Sequence, residues 1–565
     1  MTNPAGVLIG IYHGFLLYFF YEERRISCVK NSLQMDHETK NDVIYQMQDR
    51  LDRLEQNYEN LVEQVRLANQ QRFGRHTEKL DDIAGQLSFF NEAEANYDEK
   101  VKEPTVEEVI DSSRKMPRKP KKKGQREEDL KDFPQEVIPH DIPEQELNEA
   151  FGEGNRKSMP DEIFWQLRFE PAKWTAEKHI IKVYVGTDGA HQDEFLRSDH
   201  PETMFRGSIA TPSLEAVIIN AKYVNSNPLD RISRDFQANG LDLSKQTMSN
   251  WTVWTAERYL LPMCDFMRKR QLEAHVNQSD ETPVDVIHDG RPAGSQSYMW
   301  VHITGELSPV SPIIVYEYQK TRHSDHPKAY YKDFDGILMT DGLQYHKLER
   351  DLTGVKNANC MAHARRHFAN AIKAIGKSNP KTVESSVAYK ALVRIGAIYD
   401  LEGALKEQTP EERLKERQAS IKPLVEEFFS WLRKIQADRS VLPKGETAKG
   451  INDCLNQEAY LKVFLSDGEV PIDNLASERA LRTFTIGRKN WMTINTVRGA
   501  DASAIIYSVT ETARANGLNV YCYMKYLLTE LTQAVRADGS IDEKDLEPLM
   551  PWSKDLPAEC YKRRK

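Results

Sequence analysis

Three acidic residues are distinguished by what surrounds them. Asp280 lies in Ser279-Asp280-Glu281-Thr282-Pro283-Val284, Asp341 follows the apolar run Gly336-Ile337-Leu338-Met339-Thr340, and Glu478 lies in Asp473-Asn474-Leu475-Ala476-Ser477-Glu478-Arg479-Ala480-Leu481-Arg482. Two carboxylates on neighbouring strands and a third from elsewhere in the chain suit phosphoryl transfer. Two Mg²⁺ ions about 3.5–4 Å apart activate the attacking oxygen and stabilise the leaving one. Mg²⁺ takes hard oxygen ligands and keeps several waters, so a few carboxylates and a substrate phosphate complete its shell. Any one Asp or Glu is by default a solvated surface charge, and only the combination carries the reading. Cys360, His363 and His367 form a second group, but only three candidate ligands are visible. His363 is read as a packing or phosphate-contact residue, Cys360 and His363 as active-site support, and no zinc is expected.

The surrounding pattern supplies strands to carry the acids. A strand-like stretch leads into Ser279–Val284, a second strand covers Tyr298–Ile303 and a third Pro312–Tyr318. A short helix over Pro327–Phe334 crosses to a fourth strand, Gly336–Thr340, and Val355–Cys360 reads as a fifth running into a helix with Ala364, Arg365, Arg366 and Phe368. Three consecutive strands, a crossover helix and a further strand ending in Asp begin a ribonuclease-H-like fold, in which Asp280 and Asp341 lie on neighbouring strands. Lys373–Val470 is rich in Glu and Lys with little strand pattern, and reads as a helical insertion before the Glu478 helix.

The 565 residues imply two to five domains at about 100–200 residues each. With 39% hydrophobic and 29% charged residues, the chain is globular rather than fibrous, and 28 Gly and 26 Pro exclude a collagenous repeat. Its 6 Cys contain no CxxC pair, so a reduced compartment is expected rather than a disulfide scaffold. A formal net charge of -9 does not exclude nucleic acid, because clustering of basic residues matters more than their sum.

Ala5–Tyr21 is almost wholly apolar but short for a span of about 20 residues, and no basic residues precede it as in a signal peptide. It is read as an upstream extension ahead of a start at Met35, with a membrane anchor or a buried helix as alternatives. From Ile44 the residues Met47, Leu51, Leu54, Tyr58, Leu61, Val65 and Ala68 keep heptad spacing, which predicts self-association through a coiled coil, or an intramolecular helical hairpin. Arg118, Lys119, Lys121, Lys122 and Lys123 lie in a Pro-containing basic run that reads as a linker, either solvated or in contact with phosphates. Pro228–Gly240 and Leu241–Trp251 read as two short helices around a Gly turn, with Ser244 capping the second. As a helix-turn-helix, the second helix offers Lys245, Gln246, Ser249 and Asn250 to base edges; an ordinary helical hairpin shares the pattern.

Several of these segments together resemble the DDE transposases of the IS-sixty-six insertion-sequence family. They are Asp280–Val284, Tyr298-Met299-Trp300, Thr340-Asp341-Gly342, Cys360–Phe368, Glu478–Arg482, Gly487-Arg488-Lys489-Asn490-Trp491, Arg498-Gly499-Ala500 and Asn516-Gly517-Leu518. Arg72–Leu80 and His140–Pro143 resemble the family's segments after its coiled coil and before its zinc finger. The resemblance runs in one order from about Met35 to Leu528. It implies that Asp280, Asp341 and Glu478 are the catalytic metal-binding acids, holding two Mg²⁺ ions with Mn²⁺ as a substitute. Arg482, Arg488 and Lys489 join the DNA-contact residues. The family's zinc-finger cysteines have no counterparts between Val137 and Asp199, and its double Asn before the Glu is Asn474-Leu475 here.

The expected architecture is multidomain α+β. In order it comprises an apolar extension (1–34), a coiled coil (35–90), a basic linker (91–132) and a degenerate zinc-finger-like region (133–205). A helix-turn-helix (206–268), a first catalytic part (269–372), a helical insertion (373–470), a second catalytic part with Glu478 (471–535) and a tail (536–565) follow. The expected function is a DNA transposase that binds terminal inverted repeats, cleaves and joins phosphodiesters, and acts on target DNA. It is expected to work as a homo-oligomer, with small accessory proteins of the same element, in the cytoplasm at the nucleoid and without a membrane. A metal-dependent nuclease or resolvase without strand transfer, and a catalytically inactive DNA-binding descendant, are the alternatives.

Overall fold

The computed structural model describes residues 202–562 apart from 293, 343–347, 376–379, 439–440, 442–444 and 537, together with 174–179, 183–185, 195–197 and residues 47, 50 and 145. The apolar stretch, the basic run and the heptad segment, except helical Met47 and Arg50, lie outside the described residues. Two compact units divide the chain: Arg75–His200, and the rest. In the smaller unit β1 (Val183–Val185) pairs antiparallel with β2 (Phe195–Arg197). The strand expected from His179 is found at 183–185, while 174–179 has no regular structure.

The larger unit opens with α1 (Pro212–Ile219), α2 (Leu229–Ala238) and α3 (Lys245–Thr255). Between α2 and α3, Gly240 takes φ 86°, a conformation that costs glycine little. The Leu241 N–H then closes the end of α2 on the Phe236 carbonyl at 2.9 Å. Ser244 caps α3 by accepting from the Thr247 N–H at 3.1 Å, as its sequence position predicts. Pro228 stands one place earlier than expected, as the extended residue before α2 with ψ 146°. Ile218, Ile232, Phe236, Leu243, Met248 and Trp251 form a small core of their own among these helices. Past α3 a π-helical turn, Ala256–Leu260, leads straight into α4 (Leu261–Leu272), so the helix-turn-helix is joined to the sheet by continuous helix.

The sheet follows: β3 (Val276–Val284), β4 (Val286–His288), β5 (Ser297–Thr304), β6 (Ile314–Gln319), α5 (Asp325–Tyr330), β7 (Gly336–Thr340) and β8 (Val355–Asn359). Five strands make one sheet in the order β6-β5-β3-β7-β8, with β4 outside it. β6, β5 and β3 are antiparallel neighbours, whereas β7 and β8 run parallel to β3. All five strands stand where the sequence pattern places them. The crossover helix starts earlier than Pro327 and ends at Tyr330; Pro327 falls in its first turn, where a missing N–H costs nothing. On β7, Leu338 enters one core while Ile337 and Met339 enter the other, the period-two alternation of a strand covered on both faces.

After β8 come α6 (Met361–Ile375) and then α7 (Val387–Ala404), α8 (Lys422–Ala437) and α9 (Glu446–Asn456) of the expected helical insertion. Ile395, Ile398, Phe428, Phe429 and Ile451 pack it onto the Ile337/Met339 face. Fully buried Arg417 is held by Glu402 and by the Phe464 and Asp467 carbonyls at 2.8 and 2.7 Å, partners that a buried guanidinium requires. The chain returns through α10 (Leu475–Trp491), β9 (Ile494–Thr496), α11 (Val497–Ala515) and α12 (Val520–Ala534). Two hydroxyls of α11 finish the edge strand β6. Ser508 accepts from the Tyr316 N–H at 2.8 Å, while Thr512 accepts from the Ile314 N–H and donates to its carbonyl, both at 2.9 Å. Backbone groups that an open edge leaves unpaired are thereby satisfied. The segment expected as a tail contributes Leu546, Leu549, Met550, Leu556 and Cys560 to the main core. Among the described residues no helix is long and apolar enough to cross a membrane.

Candidate active site

β3 and β7 pair with Val276 opposite Ile337, Asn277 opposite Leu338 and Gln278 opposite Met339. The pairing ends there; carried two residues on, the same register would put Asp280 opposite Asp341, which follows the last residue of β7. Side chains alternate along a strand, so Asp280 shares the face of Gln278. On that face Gln278 Nε2 donates to Asn474 Oδ1 at 3.1 Å, and Asn474 Nδ2 returns a bond to the Ser279 carbonyl at 2.9 Å. Asn474 is the residue preceding α10, and Glu478 lies in the first turn of that helix. Two further bonds fasten the same corner to the end of β8: the Asn474 N–H donates to Cys360 Sγ at 3.1 Å and the Met361 N–H to the Ile472 carbonyl at 3.1 Å. The other end of α10 is tied to β3 by Arg488, which donates to the Pro283 carbonyl. The Glu478 helix is thus stitched to the Asp280 strand at both ends.

Asp280, Asp341 and Glu478 are all half-buried. Glu478 Oε1 lies 3.3 Å from Arg366 Nη2 and 3.6 Å from His363 Nε2. Burial, helped by the Arg366 guanidinium, pushes the His363 imidazole below its ordinary value, against the pull of Asp341, Glu478 and Asp453. A cavity of about 230 Å³ opens beside Asp341, lined also by His363, Arg366, His367, Asp453 and Gln457; Asp280 and Glu478 are not part of its lining. Gly342, directly after Asp341, has φ 88°, and a Cβ there would come within 2.2 Å of Gln457 Oε1. Gln457, the residue just after α9, thus reaches the turn that carries Asp341, and the positive φ of Gly342 favours glycine there.

Three carboxylates are the hard oxygen donors that Mg²⁺ requires; Asp280 lies on β3 and Asp341 directly follows the neighbouring β7. Among the described residues no three His, Cys, Asp or Glu side chains are already gathered as a metal shell. Glu478 is turned to Arg366, so holding an ion with the two aspartates requires its side chain to rotate. The donor type and strand placement fit the ion. Cys360, His363 and His367 are engaged with different partners. Cys360 is buried against Asn474, its thiol pushed up to about 12 by burial, while His367 Nδ1 meets Glu446 Oε2 at 3.1 Å.

On the helix-turn-helix, Lys245, Gln246 and Asn250 are exposed and Ser249 is half-buried, whereas Met248 and Trp251 point into the small core. Gln246 Nε2 donates to Asn250 Oδ1 at 3.1 Å, so these two amides form one polar ridge. Arg482 and Lys489 are exposed on α10, and Arg488 is half-buried against Pro283. Arg118, Lys119, Lys121, Lys122 and Lys123 lie outside the described residues. The sequence reading missed Arg366, Asp453 and Gln457. Arg366 stood inside the quoted Cys360–Phe368 segment, but Asp453 and Gln457 carry no local signal, because only the docking of the insertion brings them to Asp341.

Residues 207–502 match the family described as "Transposase IS66 family". Residues 60–138 match "Transposase C of IS166 homeodomain", a stretch outside the described residues. Among curated proteins, the chain is similar to three from Sinorhizobium fredii (strain NBRC 101917 / NGR234). It is 26% identical over 377 residues to "Uncharacterized protein y4jD", covering 64% of this chain and 70% of that protein. To "Uncharacterized protein y4hP" it is 29% identical over 364 residues, covering 61% and 62%. To "Uncharacterized protein y4qI" it is 26% identical over 375 residues, covering 64% and 66%. The chain thus spans about two thirds of the length of these relatives.

Proposed function

The chain belongs to the Transposase IS66 family, and on that footing we propose that it is an insertion-sequence transposase that cuts and joins DNA on a ribonuclease-H-like platform. The observation that supports the reading is the parallel pairing of β3, which carries Asp280, with β7, which Asp341 follows directly, together with the Glu478 helix hydrogen-bonded to β3. The sheet order, three antiparallel strands followed by two parallel ones, supports the platform.

Asp280, Asp341 and Glu478 would hold two Mg²⁺ ions, which when bound supply positive charge to the attacking and leaving oxygens. In the cutting step a water oxygen bonds to phosphorus, the bond from phosphorus to the 3′-oxygen breaks, and that oxygen takes up a proton as a free 3′-hydroxyl. In the joining step this hydroxyl attacks a target phosphodiester in line and displaces its 3′-oxygen. When Glu478 turns toward the aspartates, Arg366 is released to face the scissile phosphate, a planar donor suited to it. Lys245, Gln246, Ser249 and Asn250 read the terminal repeats, and Arg482, Lys489 and the basic run Arg118–Lys123 hold phosphates. The heptad segment from Ile44 brings copies of the chain together, and small accessory proteins of the element are candidate partners at the nucleoid.

The test uses the full chain on labelled duplexes taken from the DNA bracketing its gene. Asp280→Asn, Asp341→Asn and Glu478→Gln should each abolish nicking and joining while binding persists, and double variants should be no worse than singles. Mn²⁺ should support the wild type, and Ca²⁺ should allow binding with little chemistry. Nicked but never joined products would replace the transposase with a nuclease or resolvase. Binding without nicking by the wild type would make it an inactive descendant. Full activity in all three amide variants would end the reading.

A further inference from the structure

The C-terminal end of α10 carries a residue in a conformation rare for all but glycine. Met492 has φ 62° and ψ −61°, a γ-turn conformation that L side chains rarely adopt and that is costly where it occurs. The turn is closed by the Thr493 N–H on the Trp491 carbonyl at 2.8 Å, and the Met492 N–H reaches the Arg488 carbonyl at 2.7 Å. Trp491 packs inward, edge-on to Phe484 at 5.6 Å, whereas the Met492 side chain is 68% exposed. The strain therefore gains no burial; it presents an apolar side chain to solvent.

That presentation is rigid. Before the turn, Arg488 is bonded to the Pro283 carbonyl; after it, the Ile494 N–H donates to the Asp285 carbonyl at 2.9 Å and β9 pairs with β4. Arg488 and Lys489 place two cations in the last helical turn before Met492. Clustered cations draw phosphate backbones, and methionine is among the apolar side chains that enter base steps and unstack them. Pro283 lies three residues along β3 from Asp280, about 10 Å of strand, or about three nucleotides at 3.4 Å each.

We propose that Met492 is a wedge that enters the base stack of bound DNA a few nucleotides from the bond cut at Asp280. The inference rests on the DNA-acting reading above and adds to it a substrate-deforming residue. A wedge accounts for an exposed methionine in a turn conformation that glycine adopts with less strain.

The experiment places the fluorescent base aminopurine at successive positions in duplexes from the DNA bracketing the gene, and follows binding by anisotropy and unstacking by fluorescence. Wild type should raise the fluorescence at one or two adjacent positions. Met492→Leu should keep the rise; Met492→Ala and Met492→Gly should lose it while still binding. Met492→Gly should also melt no lower than wild type, which separates loss of the wedge from loss of the fold. A rise that persists in Met492→Ala, or wild-type binding with no rise anywhere, overturns the wedge and leaves the DNA-acting reading standing. A wild type that binds none of the duplexes overturns that reading and the wedge with it.

Discussion

Asn474 donates its side-chain amide to the carbonyl of Ser279 at 2.9 Å, which hydrogen-bonds the residue just before Asp280 to the residue that starts the Glu478 helix. Asn474 is wholly buried and also accepts from Gln278 and donates its backbone N–H to Cys360. One carboxamide thus ties the strand of Asp280 to the helix of Glu478. Asn474→Ala removes its bonds to Gln278 and Ser279, leaving Gln278 Nε2 only the Asp473 carbonyl at 3.3 Å, and should lower stability by about 1–3 kcal/mol, read from the urea midpoint. End cutting should fall further than end binding. Unchanged cutting would show that α10 is positioned by its packing alone.

Glu281 and Asp473 are acids beside the proposed trio with different work. Glu281 is buried against Arg322, and Asp473 Oδ1 accepts the Leu475 N–H at 3.0 Å while burial pushes its carboxyl up. Asp473→Asn keeps an acceptor oxygen and should retain nicking with little change in melting. Glu281→Gln weakens a buried ion pair and should melt earlier, yet still nick at a temperature where it is folded. An active Glu478→Gln beside an inactive Asp473→Asn would reassign the third acid.

The Gln246–Asn250 bond gives the proposed reading helix an ordered polar face. Replacing Lys245 and Gln246 together with Ala should weaken binding to element ends, with about 1–3 kcal/mol for a base contact. Because both side chains are exposed, the melting temperature should hold. Equal loss on unrelated DNA would mark phosphate contact only, and no loss would make the two helices a structural hairpin.

Glu215 on α1 is wholly buried, and burial pushes its carboxyl well above the ordinary 4.5, with the Thr252 hydroxyl pulling the other way. An unfolded chain releases this proton more readily than the folded one. Stability from Glu215 is therefore complete below 4.5 and declines as pH rises toward the folded-state value. Glu215→Gln should stabilise the protein at neutral pH and remove that part of the decline, as followed by thermal melting across pH. A glutamine variant less stable than wild type at neutral pH would show that the charged form is accommodated.

The sequence by itself determined the elements whose causes are local. Gly240 and Ser244 end and begin helices through their own backbone and side-chain bonds, and β5, β6 and β7 are legible because apolar runs between turn residues need no distant partner to be recognised. The three acids stand out in the sequence by residue type and by resemblance. Only the tertiary structure decided which elements carry them and what those elements touch. Gln278 and Asn474 are 196 residues apart, and no local rule couples a strand amide to a helix start across an insertion. Asp453 and Gln457 reach Asp341 because α9 docks on α6, while Ser508 and Thr512 close β6 because α11 lies along its edge. Strand pairing beyond the β6-β5-β3 meander, the seating of the insertion and the turn at Met492 all depend on long-range burial and hydrogen bonding. Short-range propensity carries no record of either, because the free energy that selects those contacts exists only once the distant surfaces have met.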